Sequence, residues 1–171
     1  FDADALPEHL IVVGGGPIGM EMAQAHRQLG AKVTVLEMFS IMPKDDPELV
    51  DVVRRQLVSE GIDILEGVVV KGAEKTAQGV RVTYEAAEGS VVGGGAAREE
   101  KSIEGSHILA AAGRRASVGG LGLEAAGIRY SDKGIEVDAR LRTSNKRVFA
   151  IGDVTGGMQF THVAGYHAGV V

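Results

Sequence analysis

Leu10-Ile11-Val12-Val13-Gly14-Gly15-Gly16-Pro17-Ile18-Gly19 decides the fold of this chain. The four apolar residues form a short continuous run, the pattern of a strand buried on both faces of a parallel sheet. The glycines follow at once. The spacing then predicts a helix over 17–29, with apolar side chains at 18, 22, 25 and 29 and Gly30 as its C-cap. Lys32-Val33-Thr34-Val35-Leu36-Glu37 reads as a second strand. Strand, glycine turn, helix and strand make a βαβ unit of the usual length.

Gly14, Gly16 and Gly19 fit G-x-G-x-x-G between a strand and a helix. Each glycine has a mechanical task. Gly14 permits a tight turn, Gly16 lets a pyrophosphate approach the backbone, and Gly19 lets the helix pack close to the strand. Free N–H groups and the helix dipole favour an anion there. Gly15, Pro17 and Ile18 complete the loop and belong to the same candidate site. Glu37 ends the second strand, about twenty residues after the motif, where a carboxylate accepts hydrogen bonds from an adenosine ribose. It also disfavours NADP. A 2′-phosphate at about 4 Å and an effective dielectric near 20 would be repelled by roughly 4 kcal/mol before screening. Met38-Phe39-Ser40 follow, with no Arg to offset the charge. The expected ligand is therefore NAD(H).

Further along, Asp46-Pro47-Glu48 starts a helix, Asp46 as cap and Pro47 in the first turn. Apolar positions 49, 50, 53 and 57 follow, Gly61 closes the helix, and residues 62–65 read as a third strand. The pattern then changes to an antiparallel meander at 68–73, 80–85 and near 101–103. Glu88 to Ala97 is expected to be a long hairpin tip. Its three glycines lack the flanking strand and helix of a phosphate loop. His107 to Gly113 returns to the buried-strand pattern and should rejoin the parallel sheet. Residues 134–138 and 147–151 read as two more strands, and a last helix starts near His162.

Composition narrows the function classes. The chain has 171 residues, apolar residues make up 44%, and the formal net charge is -5 with both signs interspersed. Without a basic stripe, nucleic acid is not an expected partner. No apolar run approaches the about 18 residues of a membrane span, so no membrane partner is expected. With no cysteine, the chain carries no thiolate metal site and no redox thiol. His162 and His167 are five apart, the wrong spacing for one helical face, and no metal site is read from them. A short-chain dehydrogenase would need Tyr-x-x-x-Lys, and neither Tyr84, Tyr130 nor Tyr166 has a Lys four residues on. No residue reads as a general acid, base or nucleophile, so no catalytic residue is assigned.

The ordered motifs then carry a resemblance. The glycine loop, Glu37, the meander, Ala112-Gly113-Arg114-Arg115, Val148-Phe149-Ala150-Ile151-Gly152-Asp153 and Gln159-Phe160-Thr161-His162-Val163-Ala164 resemble the pyridine nucleotide-disulfide oxidoreductases, most closely the dihydrolipoamide dehydrogenase and mercuric reductase branches. The resemblance covers nearly the whole chain. It implies an α/β fold: a Rossmann-like three-layer FAD/NAD(P)-binding domain over residues 1–117, with a parallel sheet and an antiparallel β-meander. A remnant of a split FAD domain is implied over 118–171. It implies that Gly14, Gly16, Gly19 and Glu37 bind NAD(H), and that Glu21 lies near the nicotinamide and the flavin edge. Val70 would line the adenine side and Gly113 approach the nicotinamide. Asp153 would bind the ribityl chain of FAD, and Gln159, Phe160, Thr161 and His162 lie beside the flavin ring. Two positions depart from the pattern: Pro17 stands where members often carry an aromatic or aliphatic gate over the flavin, and Ala116 where they often carry Pro.

By the same resemblance, the FAD glycine loop and paired cysteines precede Phe1. A dimerisation domain with an acid–base His follows Val171, making the parent a homodimer. The parent is expected to pass hydride between NADH and FAD in the cytoplasm. The chain alone is expected to be inactive. The other reading is a non-catalytic dinucleotide-binding or sensing module, against which the Gly-Asp flavin motif argues.

Overall fold

The computed structural model describes residues 4–87 and 100–171. The expected hairpin tip at Glu88 to Ala97 lies outside the described residues. The chain divides into two compact units, Phe1–Gly113 and Arg114–Val171.

The first unit runs β1 (His9–Val13), α1 (Pro17–Gln28), β2 (Lys32–Glu37), α2 (Pro47–Ser59), β3 (Ile62–Glu66), β4 (Val68–Thr76), β5 (Gly79–Ala86), β6 (Lys101–Gly105) and β7 (His107–Ala110). Its parallel sheet has the order β3-β2-β1-β7, and a separate antiparallel sheet has the order β4-β5-β6. Side-chain alternation along the parallel strands builds three layers. Leu10, Val12, Val33, Val35 and Ile62 face one way and pack with Met20 and Ala23 of α1 and Val50 and Leu57 of α2. Ile11 and Leu36 face the other way and pack with Val68 and Val82 of the meander. The central strands are thus buried on both faces, which is why they read as unbroken apolar runs rather than alternating ones.

Helix α2 begins as its sequence predicts. The Asp46 side chain accepts from Glu48 N–H at 2.9 Å, and Pro47 follows it. Helix α1 differs in its buried face. Gly19, Met20 and Ala23 are buried, while Ile18 and Leu29 are exposed at 52% and 70%. The stripe at 18, 22, 25 and 29 is not the core face. A Cβ at Gly19 would overlap the Gly14 carbonyl oxygen and meet the Ala111 side chain at 3.4 Å. That close backbone approach sets the rotation of the helix, and the larger side chains turn outward. Within α2, Val50 and Leu57 are buried, but Leu49 is 66% exposed.

Strand β7 does rejoin the parallel sheet beside β1, in register from Leu10↔His107 to Val13↔Ala110. It is not a buried strand. It pairs with β1 alone among the described residues, and Ile108 is 40% exposed, because β7 is the sheet edge.

The second unit is built from β8 (Tyr130–Ser131), β9 (Gly134–Ile135), a 3₁₀ turn (Gly152–Thr155) and α3 (Thr161–Val170). Strand β8, which the sequence pattern did not mark, pairs antiparallel with β9. The strand expected at 134–138 is confined to 134–135, and the one expected at 147–151 does not form. There, an Arg142–Phe149 bridge is accompanied by the bonds Thr143 N–H to Val148 O, Val148 N–H to Asn145 O and Ala150 N–H to Leu141 O. Leu141 has φ 61, which breaks any extended ladder at that point. Leu123, Ile128, Ile135 and Ala150 form the core of this unit.

Candidate functional site: a glycine loop at the carboxyl end of the parallel sheet

Strand β1 lies between β2 and β7 in the parallel sheet. The chain leaves β1 toward β2 and β3 on one side and returns to β7 on the other. The carboxyl end of β1 is therefore a topological switch point, where open α/β sheets present a crevice to ligands. Gly14 to Gly16 form the turn at that end.

The glycines of the loop are required for different physical reasons. Gly14 has φ 108, and a Cβ on it would lie 2.6 Å from the Ala111 carbonyl oxygen, so the end of β7 lies directly against it. Its N–H donates to Leu36 O at 2.9 Å. Gly15 is wedged between Ile41 and Glu37, whose atoms would meet its Cβ at 2.9 and 3.1 Å. Gly19 packs on Gly14, as described above. Gly16 is the exception. Its φ of -68 suits any residue, and nothing lies within 4 Å of where its Cβ would be. The fold does not need glycine there; the space in front of the loop is what its missing side chain leaves open. Gly16 is also the N-cap of α1, and it offers no side-chain acceptor to the first-turn N–H groups. No acidic residue sits in that turn. Pro17 at the first helical position has no N–H to satisfy.

Glu37 stands beside this loop. Its Oε2 accepts the Gly15 N–H at 2.6 Å and its Oε1 the Phe39 N–H at 2.9 Å. A carboxylate offers about four lone-pair positions, so both oxygens keep capacity for a ligand's hydroxyl groups. Glu21 is exposed on α1. Val70 on β4 is partly buried against the Ile11 and Leu36 core, at the edge of a β-bulge between Val70 and Gly72. Gly113 follows the end of β7 with φ 104 and open space at its Cβ position. The geometry thus gathers Gly14 to Gly19, Glu37 and the chain at the end of β7, while Val70 is partly buried and packs against the meander-side core.

In the second unit, Asp153 lies in the 3₁₀ turn and Gln159 to His162 lead into α3. Arg114 joins them: its Nη1 is 3.4 Å from Asp153 Oδ2, and its Nη2 donates to the Gln159 carbonyl at 2.7 Å. The Phe160 and His162 rings stack at 5.4 Å between centroids. His167 Nδ1 accepts the Gly152 N–H at 3.1 Å, holding the start of the turn. Arg114 and Glu66 were given no role from the sequence, and His167 entered only through its spacing from His162. The Gly113-Arg114-Arg115 motif signalled Arg114, and Glu66 ends a strand just as Glu37 does.

Residues 1–168 match the family described as pyridine nucleotide-disulphide oxidoreductase. The chain belongs to this family. Pyridine nucleotide-disulphide oxidoreductases use NAD(H) and FAD. Among similar proteins, dihydrolipoyl dehydrogenase of Staphylococcus aureus is 38% identical over 96% of this chain and 34% of its own length. Mercuric reductase of Streptomyces lividans is 33% identical over 100% of this chain and 34% of its own length. The crystal structure of LpdA from Mycobacterium tuberculosis superposes with a TM-score of 0.85 at 31% identity, covering 99% of this chain and 34% of that one. These relatives of the pyridine nucleotide-disulphide oxidoreductase family are oxidoreductases, and the chain spans about a third of the length of those it matches.

Proposed function

We propose that this chain is the NAD(H)-binding domain, followed by part of the FAD-binding domain, of an oxidoreductase of the dihydrolipoyl dehydrogenase type. The observation that supports this best is the pairing of an open glycine cradle at Gly16 with the Glu37 carboxylate, at the switch point of the sheet. Bound together in the whole protein, the two cofactors supply the hydride chemistry. The residues of this chain bind and orient. Gly14 to Gly16 and the free N–H groups at the start of α1 receive the pyrophosphate, for which partial positive charge and the absence of a side chain are the requirements. Glu37 accepts the adenosine ribose hydroxyls with its remaining lone pairs. Val70 borders the adenine side, and Glu21 and Gly113 lie toward the nicotinamide. In the second unit, Asp153 receives the ribityl chain of FAD, positioned by Arg114, with Gln159 to His162 near the flavin ring. A homodimeric parent and a cytoplasmic location belong to the same reading.

Calorimetric titration of NADH and NADPH into the protein tests it. NADH should bind at least about tenfold more tightly, since screening leaves only part of the roughly 4 kcal/mol repulsion. Glu37→Ala should narrow that preference mainly by weakening NADH. Equal affinities, or tighter NADPH, would overturn the assignment of Glu37.

A further inference from the structure

Glu66 closes β3 and is the register partner of Glu37 across the β2–β3 pair. Two carboxylates at adjoining strand ends repel each other unless something compensates. Glu66 has two partners. Its Oε1 accepts the Ile41 N–H at 2.6 Å, and its Oε2 is ion-paired with Arg54 of α2. Both side chains of that pair are about three-quarters buried, at 29% and 27% exposure. Arg54 offsets the Glu66 charge beside Glu37.

The turn that Glu66 grips, residues 38–42, is tied at four points. Phe39 N–H donates to Glu37, Gly67 N–H to Phe39 O at 3.1 Å, Ile41 N–H to Glu66, and Met42 N–H to Gly15 O at 2.9 Å. Ile41 is fully buried, and its Cγ2 is one of the two walls that confine Gly15. Met42 has φ 44. A non-glycine residue is disfavoured in that left-handed region by about 1–2 kcal/mol. The turn therefore does not hold its shape by local preference; its tertiary bonds impose it.

We propose that Glu66, held by Arg54, is a positioning residue for the dinucleotide site. It fixes Ile41, and through Ile41 and Met42 it fixes the Gly15 peptide at the spacing where the loop and Glu37 face one ligand. This rests on the NAD(H) reading above. Glu66 itself reaches no ligand in this scheme; it acts through the turn.

The test compares Glu66→Ala, Glu66→Gln and Glu60→Ala in the full chain. Glu60 accepts from Gln24 and Gln56 and so ties α1 to α2 away from the loop. NADH affinity, thermal melting and amide hydrogen exchange are measured on each. Glu66→Ala should weaken NADH about tenfold, the scale of a lost hydrogen bond to a charged group. It should speed exchange at Ile41 and Met42 while the amides of β1 and β2 stay protected. Glu66→Gln keeps an acceptor for Ile41 and should recover affinity to within about threefold of wild type. Glu60→Ala should leave NADH binding unchanged. In the flavin-loaded whole protein, Glu66→Ala should raise KM for NADH and leave kcat, because the adenosine end is not the reacting end. Wild-type affinity in Glu66→Ala would overturn the proposal, as would a loss that Glu66→Gln does not rescue or that Glu60→Ala shares. If Glu66→Ala does not fold, Glu66→Asp, one methylene shorter, carries the same comparison, and full affinity there overturns it. A wild-type chain that binds no NADH would instead sink the NAD(H) reading itself, and the positioning role with it.

Discussion

The two units of this chain hold their shape by different means. In Phe1–Gly113, parallel strands and two helices interlock through alternating apolar residues, and at the glycine loop and its neighbouring turn the Glu37 and Glu66 carboxylates also accept backbone N–H groups. In Arg114–Val171 the strands are only two residues long, and polar side chains bonded to backbone do much of the ordering. Asn145 donates to Ala126 O at 2.8 Å, Ser144 donates to Gly127 O at 2.8 Å, and buried Thr143 donates to Asn145 O and Val148 O. The first unit gains stability mainly from area removed from water and from close backbone packing. The second depends more on individual bonds, each worth only about 1 kcal/mol net but expensive to leave half-made. Where each unit carries its proposed ligand contacts, the stabilising atoms and the contacting atoms also separate differently.

The largest effect expected is in the first unit, at Gly19. Gly19→Ala drives a methyl group into the Gly14 carbonyl. It should destabilise by about 3 kcal/mol, the upper part of the usual overpacking range, read as a fall in denaturant midpoint. A wild-type midpoint would contradict the close approach of α1 to the loop.

Next comes Thr143→Val in the second unit. It removes the acceptor of the Asn145 N–H in a buried place, while Asn145 O and Val148 O keep the backbone N–H groups of Val148 and Thr143. A loss of about 2 kcal/mol is expected from the unsatisfied Asn145 N–H, although the shape is kept. A neutral result in urea unfolding would show that this unit leans on apolar burial after all.

Gly16→Val and Asp153→Ala sharpen the comparison from the functional side. Gly16 has no atom near its Cβ position, so Gly16→Val should shift stability by less than about 1 kcal/mol, with far-UV circular dichroism nearly unchanged, while NADH binding is lost. Retained binding would show that the dinucleotide does not lie on this loop. Asp153 and Arg114 are each about half exposed, so their pair contributes at most about 1 kcal/mol. Asp153→Ala in the whole protein should nevertheless weaken FAD retention, measured by the flavin-to-protein absorbance ratio after gel filtration. An unchanged ratio would remove Asp153 from the flavin site.

The smallest effect is a pH dependence. The N–H and guanidinium of Arg142, with the Arg140 N–H, hold the Asp138 carboxyl at about 2, below its ordinary 3.8. A carboxylate favoured in the folded state stabilises fully above about pH 3.8, and that contribution fades as pH falls through about 2. Carboxyl chemical shifts followed between these limits should give the depressed midpoint. An Asp138 that titrates at its ordinary value would show that its turn is not ordered by these bonds.

Local signals made much of the first unit legible. The run Leu10 to Val13, the glycines after it, the Asp46-Pro47 cap and the alternation at 68–73 and 80–85 depend on neighbours within one element, so their patterns survive in one dimension. The three loop glycines and Glu37 were legible because their offsets along the chain reflect a strand, a turn and a strand of nearly invariant length. The second unit was less legible. The stretch 147–151 has the composition of a strand, yet Leu141 and the turn at 143–148 deny it a continuous partner.

By itself, then, the sequence determined the three-layer α/β class, the family, the loop and the carboxylate beside it, because periodicity, glycine spacing and strand-end position are local quantities. Tertiary structure alone decided which face of α1 is buried, that β7 is an edge, that Arg114 joins Asp153 to Gln159, and that Glu66 grips the turn beside Gly15. Each of these depends on atoms brought together from distant parts of the chain. A contact such as Glu66 to Ile41 spans 25 residues of sequence and 2.6 Å of space. No periodicity encodes it; only the packing of β3 against β2 places the two groups within reach.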